Sequence, residues 1–172
     1  YNTTSSQWEI IAGATSSTYT TPVLIQTGTY QYRLSVTQGY GCASTSPDVT
    51  ITVTEDPVVN VQAQDLFLCI GGNTTLTSQV TGGAGAQSYQ WQLFNGTAFE
   101  NIIGATAANY TTPVYGIAGT YNYRLVVTQN AGCQTSSAEL IVTVVADPVI
   151  TIVASENTIC TGGVASLTST VL

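Results

Sequence analysis

Along most of the chain apolar side chains return at every second position. Tyr121, Tyr123, Leu125 and Val127 alternate with Asn122, Arg124, Val126 and Thr128, which predicts a strand with one buried face. Tyr30, Tyr32, Leu34 and Val36 repeat the pattern earlier in the chain. Leu76, Ser78 and Val80 alternate in the same way, as do Tyr89, Trp91 and Leu93, and Leu140, Val142 and Val144 make a final strand. Gly71-Gly72-Asn73, Gly82-Gly83, Asn95-Gly96 and Asn130-Ala131-Gly132 separate these short runs at near-regular spacing. No stretch sustains the roughly 3.6-residue period of a helix. The reading is all-β.

The pattern is itself repeated. Cys42 and Cys133, like Cys69 and Cys160, stand 91 positions apart. At that offset Gly13-Ala14-Thr15 falls on Gly104-Ala105-Thr106, and Tyr19-Thr20-Thr21-Pro22-Val23 on Tyr110-Thr111-Thr112-Pro113-Val114. Tyr32-Arg33-Leu34 falls on Tyr123-Arg124-Leu125, and about 43% of all overlapping positions are identical without a gap. A period of 91 is too long for a solenoid turn and suits one small domain. The Asp56-Pro57 and Asp147-Pro148 dipeptides are natural boundaries, because proline interrupts a strand ladder and stiffens a short linker. Residues 1–56 then read as the C-terminal part of a repeat, 57–147 as a complete repeat, and 148–172 as the N-terminal strands of a further one. Two organisations fit. The chain is a cut through a continuous array, or its last strands complete the first domain of another copy by donation. Short strands in this order predict an immunoglobulin-like sandwich of about seven strands.

Composition narrows the function. Of 172 residues 6% are charged, with two arginines, no lysine and no histidine, for a net charge of −7. Without histidine there is no imidazole base and no His-containing triad. Two arginines cannot neutralise a phosphate backbone, so no nucleic-acid partner is expected. No apolar run reaches the ~18 residues of a spanning helix, and membrane insertion is not expected. No signal peptide is visible either. The carboxylates are spread out, with no pair framed as acid and base for glycoside hydrolysis. An enzyme is not expected.

The order Cys69, Gly71-Gly72, Leu76, Tyr89-Gln90-Trp91, Ile103-Gly104-Ala105-Thr106, Tyr110-Thr111, Gly119-Thr120-Tyr121 and Gly132-Cys133 resembles the Ig-like or PKD-like repeats of large secreted surface adhesins of Bacteroidota, gliding-motility adhesins among them. The resemblance covers the whole chain. It implies tandem Ig-like (PKD-like) β-sandwich domains, an extracellular or cell-surface location, and a role in a stalk, sheath or adhesive filament. The resemblance identifies no ligand; neighbouring copies of the same repeat are the expected partners, and a carbohydrate-binding Ig-like module that takes surface glycans is an alternative. Many such repeats carry acidic calcium-binding loops, and this chain is poor in clustered carboxylates.

Individual residues add detail. An even number of cysteines suggests disulfides in an oxidising compartment. Cys69 sits between the first strands and Cys133 between the last two, at opposite ends of an Ig topology, so Cys42, Cys69, Cys133 and Cys160 are expected to staple neighbouring domains rather than pair within this chain. An ordinary Cys69–Cys133 bond is the alternative. Trp91, with Tyr121, Tyr123, Tyr30 and Tyr32, is expected in the core, the alternative for Trp91 being an exposed platform for sugar rings. A two-residue hairpin would set Arg124 opposite Glu139 and Arg33 opposite Asp48, as cross-strand ion pairs. Ala131 or Tyr40 fits such a turn badly, and a longer loop would shift the register. A calcium site at the junction would draw on Glu55, Asp56 and Asp65, but such ions take about six to eight oxygens and Ala146 stands where Glu55 would recur. No cofactor and no metal are expected. Asn2, Asn73, Asn95 and Asn109 open N-glycosylation sequons, with O-glycans on the many Ser and Thr as the alternative.

Overall fold

The computed structural model describes residues 7–130 and 132–172. It is all-β, with no helix among the described residues. The first strands are β1 (Gly28–Tyr32), β2 (Ser35–Thr37), β3 (Ala43–Thr45) and β4 (Val49–Val53). They are followed by β5 (Val58–Ala63), β6 (Phe67–Cys69), β7 (Thr75–Thr81), β8 (Gln87–Phe94), β9 (Phe99–Asn101) and β10 (Tyr110–Thr111). The rest are β11 (Gly119–Gln129), β12 (Gln134–Ser136), β13 (Leu140–Val145), β14 (Ile150–Ala154) and β15 (Leu167–Val171).

Strands β5 to β13 make two sheets. One has the order β10-β7-β5, and the other β6-β13-β11-β8-β9, with β12 also paired to β11. All pairings are antiparallel except β6 with β13, which run parallel. The two faces share one core. Val59 and Leu76 come from the smaller sheet, and Trp91, Tyr123, Leu125, Val127, Val142 and Val144 from the larger. This arrangement is consistent with a β-sandwich. The alternation seen in the sequence is the alternation of burial: Tyr123, Leu125 and Val127 are buried while Asn122, Arg124, Val126 and Thr128 are half-buried. Burying side chains of this size stabilises by roughly 1.5–3 kcal/mol each, which is why the pleat cannot slip by one residue.

The flanking strands repeat parts of this unit without its core. β1–β4 and β2–β3 form separate pairs, as do β14–β15. Leu34 is 50% exposed where its counterpart Leu125 is 0%, and Leu167 is 69% exposed where Leu76 is 0%. The flanking strands have the right pattern but no opposing sheet among the described residues.

The hairpin between β11 and β12 departs from the two-residue turn. Gln129 N–H donates to the Cys133 carbonyl, Gly132 N–H donates to the Gln129 carbonyl, and Gly132 holds φ at 87°. The same bonds join Gln38, Gly41 and Cys42 around Gly39-Tyr40-Gly41, with Gly41 at φ 82°. This is a three-residue loop closed by a left-handed glycine. The longer loop moves the pairing to Val126↔Ser136, whereas beyond it Tyr123 pairs with Leu140. One residue of β11, Arg124, therefore faces two, Ala138 and Glu139, in a bulge. Ser137 Oγ accepts the Leu125 N–H there at 3.0 Å, and Ser46 Oγ does the same for Leu34.

Candidate functional site

Three regions carry the residues singled out by sequence. The first is the aromatic core. Trp91 is fully buried on β8, its N–H donating to the Ala105 carbonyl at 2.9 Å and its indole Nε1 to the Ala107 carbonyl at 3.0 Å. The loop after β9 is thereby folded over the indole, and nothing of it is offered to a sugar. Tyr123 is buried, while Tyr121, Tyr30 and Tyr32 are half-buried. The hydroxyls of Tyr115 and Tyr123 share a hydrogen bond of 3.0 Å. Burial pushes the Tyr123 hydroxyl far above the usual tyrosine range, with that hydrogen bond adding to it. Tyr110 is raised in the same sense, first by burial and then by Tyr115. Tyr121, near the start of β11, donates its hydroxyl to the Ile117 carbonyl at 2.9 Å, and Tyr30 does so to Gln26 at 3.0 Å. A cleft of 440 Å³ opens between the sheets at this end, lined in part by Leu93, Tyr110, Tyr115, Val114 and Ile117.

The second region is the outer face of the larger sheet, where Gln90, Gln92, Asn101, Arg124, Thr128 and Gln134 line a shallow groove of 310 Å³. Here the structure corrects the expected ion pairs. Arg124 Nε donates to Gln92 Oε1 at 2.6 Å, and its guanidinium lies 4.2 Å from the centre of the Phe99 ring. Glu139 Oε2 instead accepts from Asn122 at 3.3 Å. Arg33 lies over the Trp8 ring, 4.1 Å from its centre. Arg124 still faces Glu139, with Ala138, across the bulge, but its side chain runs over β8 toward β9, where Gln92 and the Phe99 ring hold it. A cation over an aromatic face is stabilised by about 0.5–1 kcal/mol at such sites. Sequence offered a signal, since Trp8 to Arg33 and Phe99 to Arg124 are both 25 positions apart.

The third region is the pair of ends. All four cysteines are unpaired, with Cys42, Cys69 and Cys160 exposed and Cys133 half-buried. Cys69 is the partner of Val145 at the end of β13, while the Cys133 carbonyl meets Gln129 at the far end of β11. Among the described residues no group of three or more His, Cys, Asp or Glu could hold a metal ion, so Glu55, Asp56 and Asp65 are not gathered into a calcium site. Of the sequon asparagines, Asn73, Asn95 and Asn109 are exposed and Asn2 lies outside the described residues. Asn95 is engaged: its Oδ1 accepts from Thr97 and Ala98 and its Nδ2 donates to Glu100.

Residues 59–146 match the family described as a domain of unknown function (DUF8696). The chain belongs to that family. The matched segment is nearly the whole closed sandwich, from the first buried residue of β5 to just past β13. No curated protein matches the chain. Among solved structures it is similar to dimeric latent PorU from Porphyromonas gingivalis, at 18% identity and a TM-score of 0.38. That likeness covers 72% of this chain and 13% of the PorU chain.

Proposed function

We propose that the chain is a structural repeat module of an extracellular tandem-repeat adhesin, serving in a stalk or filament at a bacterial surface, with no enzymatic role. The observation that carries this reading is the placement of entry and exit in the closed unit. The chain enters at the Val58 and Thr81 end and leaves at Val145, beside Cys69, at the other. Copies joined by a proline-bearing linker then line up end to end, each adding roughly 35–45 Å from strand length plus linker. An immunoglobulin-like type for the sandwich is supported by Trp91 on β8, packed between the sheets, and by the Tyr121 hydroxyl bonded back to the Ile117 carbonyl at the start of β11. Both are recurrent features of that fold.

The experiment is the size of the native material under denaturing conditions, with and without reductant. A species far above 17.9 kDa that survives reduction is the expected result. Collapse to 17.9 kDa overturns the array and favours separate subunits completed by donated strands.

A further inference from the structure

Cys69 and Cys133 lie in one unit and stand at its two ends. Cys69 closes β6 and pairs with Val145, and the neighbouring Val144 pairs with Gly119 at the start of β11. Cys133 is bonded to Gln129 at the finish of β11. β11 has 11 residues, so at ~3.3 Å per residue the two cysteines are about 33 Å apart. A disulfide requires Cα atoms within about 7 Å. A bond inside the unit is excluded by the fold.

The ends are also the junctions. Val58 pairs with Thr81, and Ala84, just beyond it, donates to Gln129 Oε1 at 2.7 Å, so the chain enters at the Cys133 end. It exits beside Cys69. The next copy opens at Val149, whose N–H and carbonyl already pair with Leu172. Four residue steps from Val145 to Val149 reach at most about 14 Å. The hairpin cysteine of that copy belongs at its entry end, as Cys133 does here. In an array of such units each junction would set one exit-end thiol on the side of one hairpin thiol, with none left over.

We propose that the exit-end cysteines, Cys69 and Cys160, form disulfides with the hairpin cysteine of the adjoining copy, the position that Cys42 and Cys133 occupy here, so that each bond spans one junction. The proposal rests on the array reading above. The oxidant is a disulfide, either a small-molecule one or that of a thiol–disulfide oxidoreductase. One protein thiolate attacks a sulfur of that disulfide and expels a thiolate. The second protein thiolate then attacks the mixed disulfide and expels the other. Two protein thiols lose two protons and two electrons, and the oxidant leaves as two thiols. The bond adds a second covalent path beside the linker, so force along the rod is shared between two connections.

Native material carrying the repeat, digested with pepsin at low pH without reduction, tests this by the identity of the linked peptides. The hairpin sequences differ between copies, with Gly39-Tyr40-Gly41 in one and Asn130-Ala131-Gly132 in the next, so mass assigns each link to its unit. The expected result joins the Cys69 peptide to a hairpin peptide other than that of Cys133, and the Cys133 peptide to an exit-end peptide other than that of Cys69. A Cys69–Cys133 link overturns the proposal, as does recovery of both thiols free to alkylation. In the isolated 172-residue chain treated with oxidised glutathione, the monomer band is expected to contain no bond between any two of its four cysteines. An internal bond there also overturns it. Free thiols in material that remains far above 17.9 kDa after reduction reject the staple and leave the array standing. Collapse to 17.9 kDa removes the array and the proposal with it.

Discussion

Replacing Trp91 by alanine tests the core and the role of the aromatic residues in one step. The indole is fully buried, and an aromatic side chain of this kind covers roughly 150–250 Å². At ~25 cal/mol per Å² that is about 4–6 kcal/mol of transfer free energy, part of it retained by the alanine Cβ. The lost Nε1 bond to Ala107 leaves an unpaired carbonyl and adds about 1 kcal/mol. The expected loss is therefore about 4 kcal/mol, within the usual range for large-to-alanine core changes. Small domains hold only about 5–15 kcal/mol in total, so the unit should melt some 16–32 °C lower. Urea denaturation followed by far-UV circular dichroism measures it, with Trp91→Phe as the milder comparison. A loss below about 1.5 kcal/mol for Trp91→Ala, a small share of the usual ~3–5, would refute the reasoning. Retained fold together with lost glycan binding would point to an exposed platform instead.

Three further outcomes are expected. A double-mutant cycle on Arg124→Gln and Phe99→Leu should give a coupling of about 0.5–1 kcal/mol, whereas Arg124→Gln with Glu139→Gln should give a value indistinguishable from zero; the reverse order would restore the ion pair. Because burial raises the Tyr123 hydroxyl, the folded state keeps a proton that the unfolded chain loses above about pH 10, so stability is intact below that pH and falls by up to ~1.4 kcal/mol per unit above it; melts from pH 8 to 11.5, with tyrosinate absorbance in native and urea-unfolded protein, check the sign. Gly83→Ala should cost roughly 1–3 kcal/mol, since Gly83 sits at φ 71° and a Cβ there would run into the Gln129 side chain, which is buried and holds Ala84; unchanged urea stability would contradict that contact.

Much of the fold was legible because a sheet buried on one face writes its period into the sequence. Tyr123, Leu125 and Val127 announce β11, and Trp91 announces β8, before any contact is known. The internal similarity was legible in the same way, as identical residues recurring 91 positions apart. The switch at β6 was not. Phe67-Leu68-Cys69 is too short to show a period, and its parallel pairing with β13 depends on where β5 leaves the chain. The partners of the arginines were hidden too. A charge ladder is counted along two strands, whereas Arg124 reaches over a third strand to an aromatic ring on a fourth. The opposite ends of Cys69 and Cys133 were legible from the turns beside them, whereas which end the chain enters and which it leaves followed from the strand order.

The long hairpin and the bulge have one cause and correct each other. A loop closed by a left-handed glycine takes one residue more than a two-residue turn, and side chains alternate with period two. Left alone, the extra residue would turn Glu139 inward opposite Tyr123 and send Val142 and Val144 out to solvent. The bulge at Ala138 and Glu139 spends a second extra residue and restores the alternation, so that Val142 and Val144 are buried and Glu139 is exposed. Ser137 makes the repair tolerable, because its hydroxyl takes the Leu125 N–H that the interrupted ladder abandons. The same glycine, serine and displaced arginine recur at Gly41, Ser46 and Arg33. In the closed unit the demand behind these residues is that the strand after the hairpin present Val142 and Val144 to the core, and the first copy carries the same glycine, serine and arginine at the same spacing.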